Sequence, residues 1–336
     1  MTKPVITGNA TEHIGDTPES FSVFGRDLFG APVVNSTGAL ANKFTWPPFS
    51  VLDARSGNWQ ERKRAWLAVG IEGEKGRSAK TYNTQGWVDK NEIKGNAIKQ
   101  TGTSIFDPVL CELAYTWFCP PGGQIVDPFA GGSVRGITAQ LLGFKYWGCD
   151  LSAAQIAANY EQSKAICSTN PEWVVGDATN VMDNAPPADF IFTCPPYGDL
   201  ERYSDNPSDL STMEYHTFMA AFKRIILRCG KTLKDGRFAC VVVGDFRDKR
   251  TGNYRGFVAD TINGFRECGM ALYNDAILLT PAGSLPIRVS AQFENSRKLG
   301  KTHQNILVFV KGGAPARDLF IEPPKPPKQE AVSYDE

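Results

Sequence analysis

Five short apolar runs between residues 124 and 245 each stop at an acid, a glycine or a proline pair. They are QIVDPF (124–129), YWGCD (146–150), EWVVGD (172–177), DFIFTCPPY (189–197) and GRFACVVVGD (236–245). Each is strand-sized, and stretches with helical spacing stand among them: 131–144, 152–166, 215–233 and 256–270. Ser152 is an N-cap for the second of these. Strands alternating with helices predict an α/β fold whose mostly parallel sheet is covered on both faces. Two further strands, 271–280 and 304–311, are joined by some two dozen residues without an obvious helix. They are expected to pair as an antiparallel hairpin at the sheet edge. In such a sheet ligands bind beyond the carboxyl ends of the strands. The polar punctuation at Asp127, Asp150, Asp177, Cys194 to Asp199 and Gly244-Asp245 therefore argues for one shared site.

The 336 residues carry no formal net charge, which excludes a uniformly basic nucleic-acid coat but leaves room for a local basic groove. Eight cysteines without a C-x2-C pair and only three histidines argue against structural zinc, and no metal is expected. Scattered thiols suit a reducing cytoplasm. No apolar run approaches about 18 residues, so no membrane span is expected. Residues 1–40 read as a loop-rich extension. Residues 41–100, rich in Trp and basic side chains, are a candidate target-recognition or docking region. The catalytic domain is expected over 101–315, followed by a polar, Pro-rich tail at 316–336.

DPFAGGS (127–133) joins a strand to a helix. Its two glycines let the backbone approach a ligand, though a tight turn alone would use the same residues. It is neither G-x-G-x-x-G nor a P-loop. Asp150 can accept from ribose hydroxyls, or merely precede a helix cap. Asp177 can face an adenine amine. In series, the loop and two acids describe a pocket for an adenosine without a triphosphate.

With TCPPYGDLERY (193–203), the series resembles the S-adenosylmethionine-dependent DNA amino-methyltransferases of the N4-cytosine and N6-adenine type. TSIFDPVLCELAYTWFCPPGG (103–123) looks like the segment that touches the methionine end of the cofactor in these enzymes. LGKTHQNILVFVKG (299–312) resembles their closing strand. WPPFSVLDARSGNWQERKRAWL (46–67), CPPYGDLERYSD (194–205) and GSLPIR (283–288) are similar to methylases encoded by bacteriophages. The resemblance implies a Rossmann-like class I methyltransferase fold, S-adenosylmethionine as cofactor and double-stranded DNA as partner. It also implies a place in host cytoplasm and a setting of DNA modification or restriction-modification. It assigns Phe106, Asp107, Asp127, Phe129, Ala130, Gly131, Gly132, Ser133, Asp150, Leu151, Asp177 and Ala178 to the cofactor. It assigns Cys194, Pro195, Pro196, Tyr197 and Asp199 to catalysis. Ser133 departs from the third glycine of the usual loop. Cys194 departs from the usual Asp, Asn or Ser.

An exocyclic base amine is a poor nucleophile because its lone pair is delocalised into the ring. A carbonyl and a polar side chain that hold its N–H groups turn the lone pair toward the methyl donor. Cysteine accepts only weakly, so the Pro195 carbonyl is expected to do most of this, with Cys194 taking the place of serine. The turn resembles the Thr-Ser-Pro-Pro-Tyr form often found in cytosine-N4 enzymes more than the Asp form typical of adenine-N6 enzymes, and this resemblance implies cytosine N4 over adenine N6. Tyr197 is expected to stack on a flipped base, and Asp199 to accept from the amine or receive its proton. The alternatives are a C5-cytosine enzyme with Cys194 as nucleophile, or an RNA or protein methyltransferase of the same fold. Phosphate contacts are expected from Arg247, Arg250 and Arg255, and from Arg288, Arg297, Lys298 and Lys301. Arg62-Lys63-Arg64 forms a third, less favoured basic stretch.

Overall fold

The structure is a computed structural model that describes residues 37–73, 75–76, 106–198, 202–283, 285–316 and 319. The chain divides into two compact units, Met1–Pro47 and Pro48–Glu336. In the first, the described residues form helix α1 (Thr37–Phe44).

The second unit is built on eight strands: β1 (Val51–Asp53), β2 (Gln124–Asp127), β3 (Lys145–Asp150), β4 (Glu172–Val175), β5 (Ala188–Thr193), β6 (Leu233–Val243), β7 (Met270–Leu279) and β8 (His303–Lys311). They form one sheet in the order β1-β7-β8-β6-β5-β2-β3-β4. Strands β6, β5, β2, β3 and β4 run parallel, and β8 runs antiparallel to both β6 and β7. The chain leaves β2 toward β3 and β4, then returns to the other side of β2 for β5. The strand order therefore reverses between β2 and β5, the place where such sheets open a crevice for a ligand.

Around the sheet lie α2 (Gly57–Ala68), α3 (Pro108–Phe118), α4 (Val134–Leu141), α5 (Ala153–Ile166), α6 (Ala178–Val181), α7 (Tyr215–Thr232), α8 (Phe257–Glu267) and α9 (Leu285–Ser296). Strand β5 shows why both faces must be covered, since all six of its residues are buried. Alternate side chains serve opposite faces. Phe190 and Phe192 meet the ring of Tyr115 from α3, the latter with centroids 5.2 Å apart. Ile191 joins the core cluster that holds Phe218 and Phe222 of α7 and Phe257 of α8. Among the described residues, no helix is long and apolar enough to cross a membrane.

Two features differ from expectation. The antiparallel pair β7-β8 forms, but it is not the sheet edge, because β1 covers β7 in parallel register from Val51↔Ile277 to Asp53↔Leu279. A three-residue strand carries too little alternation to be read from sequence. The connection between β7 and β8 contains α9, a twelve-residue helix. Its apolar side chains make no buried stripe, and Ile287 is 81% exposed. The pattern that marks a core-facing helix is therefore missing.

Helix α2 is locked to α3. The Glu112 carboxylate, 2% exposed, accepts from Arg62 Nε at 2.6 Å, from Arg62 Nη2 and from Trp66 Nε1 at 2.7 Å. Arg62 is thereby committed to a buried acid instead of to phosphate. Part of the 41–100 stretch thus docks against α3.

Candidate active site

The carboxyl ends of the central strands open into a cavity of about 680 Å3. That is a usual volume for a cofactor-sized ligand. The glycine loop between β2 and α4 forms its floor through Phe129, Ala130, Gly131 and Gly132. Gly131 holds φ +52°, where a side chain would be strained. A Cβ on Gly148 of β3 would stand 2.9 Å from the Ala130 Cβ, so glycine there lets the loop lie against the strand. The Ala130 amide donates to the Cys149 carbonyl at 2.9 Å, and the Gly131 amide to Asp150 Oδ2 at 3.0 Å.

Asp150 ends β3 on the cavity wall, and its other oxygen accepts from the Ser152 amide at 2.8 Å. Burial pushes its carboxyl above the usual carboxylate value, while these two amides pull the other way. Asp177 caps α6 through the Thr179 amide at 2.8 Å and lines the same cavity with Leu151 and Ala178.

Asp127 and Ser133 differ from their expected place, since neither lines the cavity. Asp127 is wholly buried beneath the loop. It accepts from Arg135 Nε at 2.6 Å, the Thr193 hydroxyl at 2.7 Å, the Tyr146 hydroxyl at 2.8 Å and the Phe129 amide at 3.0 Å. Its acceptor sites are spent on holding β2, β3, β5 and the loop together. The Ser133 hydroxyl is also buried and donates to Gln162 of α5, fastening the loop where the third glycine was expected.

Arg135 was not singled out from the sequence, yet it supports the loop from below. Its Nη2 donates to the carbonyls of Phe129 and Ala130, and its guanidinium lies 4.6 Å from the ring centroid of Phe106. Burial opposes its charge, but the Asp127 carboxylate, joined by Tyr146, Cys194 and Cys111, outweighs that, so its value is raised and it stays protonated. Phe106 and Asp107 form another wall of the cavity. Asp107 caps α3 through the Val109 amide at 3.0 Å and accepts from Trp59 Nε1 at 3.2 Å. Lys63 of α2, part of the less favoured basic stretch, also lines the cavity and stands 3.1 Å from Asp107.

The turn after β5 brings Cys194, Pro195, Pro196 and Tyr197 to the same cavity. The Tyr197 hydroxyl lies 3.7 Å from Cys194 Sγ and receives a 2.6 Å hydrogen bond from Gln304 Nε2 of β8. Its ring packs edge-on to Phe257 with centroids 6.3 Å apart. Burial pushes the phenol well above its usual value, so it stays protonated. Gln304 was missed because one polar residue at the start of an apolar strand carries no motif. Asp199 and the side chain of Arg288 lie outside the described residues.

Two basic loops meet next to this turn. In the first, Arg247 donates to the Gly252 carbonyl at 3.0 Å and lies over the Tyr254 ring at 3.9 Å, while Arg255 pairs with Asp248 at 3.1 Å. These two arginines brace the loop, whereas Arg250 is exposed. From the second, the Lys298 ammonium lies against Gly252 and Lys301 is 5.8 Å from the Tyr254 ring. Burial lowers the Lys301 value from its usual one. Lys301 also lies beside Gly244, whose other neighbours are Tyr197 and Gln304. Arg297 is exposed, with its guanidinium over Phe293.

The glycine loop, the strand-end acid Asp150 and the Cys194–Tyr197 turn thus open on one cavity of a Rossmann-like sheet, at the point of strand reversal. Residues 188–336 match the family model N6_N4_Mtase, described as DNA methylase. The match begins at β5 and includes the Cys194–Tyr197 turn, with the glycine loop upstream of it. No curated protein matches the chain in sequence. Among solved structures, TrmN from Thermus thermophilus is 14% identical with a TM-score of 0.41, over 61% of this chain and 49% of that one. The chain thus spans about half the length of that relative. Magnesium protoporphyrin IX methyltransferase from Synechocystis PCC 6803, solved with bound SAM, is 13% identical with a TM-score of 0.36, over 57% and 71%. A candidate DNA modification methylase, also from Thermus thermophilus, is 21% identical with a TM-score of 0.32, over 42% and 53%.

Proposed function

We propose that this protein transfers a methyl group from S-adenosylmethionine to the exocyclic amine of a base flipped out of double-stranded DNA, with cytosine N4 favoured over adenine N6. One observation carries the reading. The Cys194–Tyr197 turn and the Gly131–Asp150 corner open on a single cavity, in a chain whose turn falls inside the DNA methylase match.

The cofactor supplies a methyl group made electrophilic by its sulfonium. The cavity fits it: Gly131 leaves the loop backbone open to a ligand, and Asp150 retains lone pairs for two ribose hydroxyls beside the amides it already holds. Asp177 keeps one oxygen for an adenine amine. The Pro195 carbonyl accepts an N–H of the target amine and turns the nitrogen lone pair toward the methyl. Cys194 fills the serine position beside it. Tyr197 supplies the stacking surface, its ring held by Phe257 and its hydroxyl by Gln304. As the nitrogen gains the methyl it must lose a proton, for which Asp199 is the carboxylate nearest in sequence. Exposed Arg250 with Lys298 and Lys301 holds phosphates at the cavity mouth.

The nucleophilic use of Cys194 is the alternative that product analysis separates; the hydroxyl 3.7 Å from its sulfur belongs to a tyrosine that burial keeps protonated. The eight free thiols suit the reducing cytoplasm of a host, and the likeness to phage-encoded methylases supports a role in modifying phage DNA.

The test is nucleoside mass spectrometry after incubation with mixed-sequence duplex DNA and S-adenosylmethionine, with Cys194→Ser alongside. N4-methylcytosine or N6-methyladenine from both proteins is expected. Appearance of 5-methylcytosine that vanishes in Cys194→Ser would overturn the amine reading. Methylation of RNA or protein but not DNA would replace the substrate.

A further inference from the structure

The Cys194–Tyr197 turn is one acceptor short for the reaction proposed above. Holding an exocyclic amine with its lone pair turned toward the methyl takes an acceptor for each of its two N–H groups. The Pro195 carbonyl serves one. For the other, where the resembling enzymes carry Asp, Asn or Ser, this chain has Cys194, a weak acceptor.

The little capacity of that sulfur is shared. The Tyr197 hydroxyl accepts from Gln304 Nε2 at 2.6 Å and keeps its own proton, with Cys194 Sγ in reach at 3.7 Å. Neighbouring oxygens are committed elsewhere. The Thr193 hydroxyl, just before the turn, donates to Asp127 at 2.7 Å. Asp209, farther along the cavity wall, accepts from the Ser211 amide at 2.8 Å, the Ser211 hydroxyl at 2.7 Å and the Ser204 hydroxyl at 2.8 Å.

Gln304 has the missing capacity. It lines the cavity together with Cys194, Pro195 and Tyr197. Its Cγ and the edge of the Tyr197 ring each stand 4.0 Å from where a Cβ on Gly244 would lie, so the side chain runs beside the ring. The bond from Nε2 to the hydroxyl fixes the amide group. Its other end, Oε1, has two lone pairs and receives no hydrogen bond among the described residues.

We infer that Gln304 Oε1 is the second acceptor for the target amine, in place of the polar side chain that Cys194 lacks. Gln304 is then a catalytic residue as well as the anchor of the ring. It orients the nitrogen and takes no proton. The N–C bond forms as the S–C bond breaks, S-adenosylhomocysteine departs, and the proton leaves toward the carboxylate named above. The assignment rests on the amine-methylation reading, and it accounts for a cysteine at this position by moving the acceptor to β8.

The test is single-turnover methylation of duplex DNA in a Tyr197→Phe background. Without the hydroxyl, Gln304 can no longer act by steadying the ring. Adding Gln304→Leu there is expected to slow methyl transfer by a further factor of roughly 3 to 10, the range for one neutral hydrogen bond. S-Adenosylhomocysteine affinity should hold within about twofold. Gln304→Glu, which keeps an acceptor, should lose less than Gln304→Leu, and Cys194→Asp should recover most of the leucine variant's loss. Gln304→Met gives the same comparison should the leucine variant fold poorly. No loss beyond that of Tyr197→Phe, or a loss that Cys194→Asp does not reduce, would overturn the assignment and leave amine methylation standing. If the unaltered protein placed no methyl on a DNA amine, the functional reading itself would fall and this assignment with it.

Discussion

Gln304 donates its side-chain amide to the Tyr197 hydroxyl across 2.6 Å, linking β8 to the turn after β5 over 107 positions of sequence. The bond fixes the tilt of the ring proposed to stack on the target base. Replacing Gln304 with leucine leaves that hydroxyl without its donor at a cost of about 1–2 kcal/mol. DNA methylation by Gln304→Leu should lose roughly 5- to 30-fold in kcat/KM, while S-adenosylhomocysteine affinity holds within about twofold. Steady-state kinetics beside calorimetry would show it. Unchanged kcat/KM would mean that the ring needs no such anchor.

Asp127 is the fold's buried electrostatic joint, with Arg135, Tyr146, Thr193 and the Phe129 amide all donating to it. Asp127→Asn removes the countercharge of a buried guanidinium and turns an amide donor toward other donors. A stability loss of about 3–5 kcal/mol is expected in denaturant unfolding. A loss below about 1 kcal/mol would show that the joint can relax.

Asp150, as the proposed ribose acid, is expected to make cofactor affinity depend on pH. Burial raises its carboxyl above the usual aspartate value. A raised acid contributes stability that is fully present below the unfolded value and is lost as pH rises through the folded one. Its charge at neutral pH therefore costs stability. Protonation removes acceptor capacity, so S-adenosylhomocysteine affinity should fall on acidification at a higher pH than an ordinary aspartate would give. Titration of Asp150→Asn should show weaker binding without that pH step. A step that survives the substitution would assign it to another group.

Lys298 and Lys301 stand where the two basic loops meet beside Tyr197 and Gln304. Each phosphate contact contributes about 0.9 to the slope of log affinity against log salt. The double variant Lys298→Ala/Lys301→Ala should lower that slope by up to about 2 in duplex-binding titrations, with cofactor binding unaltered. An unchanged slope would place the DNA on another face.

The parts of the site legible in sequence are local ones. Gly131, Asp150, Asp177 and the Cys194–Tyr197 turn lie at strand ends, where a few adjacent residues set both backbone and chemistry. All four reach one cavity. What escaped reading comes from elsewhere in the chain. Lys63 looks like one charge in a solvated run until α2 docks through Glu112. Strand β1 is too short to show a period, and exposed α9 has no buried stripe to announce it.

Alternation of strand-sized runs with helices, and their polar endings, determined the parallel sheet and the side of it on which ligands bind. Those are consequences of local backbone preference and of burial on two faces. Tertiary structure alone decided that Asp127 lies buried under the glycine loop with four donors on its carboxylate. It also decided that Gln304 steadies Tyr197 and that Lys63 faces the cavity. Each of these depends on which donors and acceptors meet when distant segments pack, and no spacing along the chain encodes that.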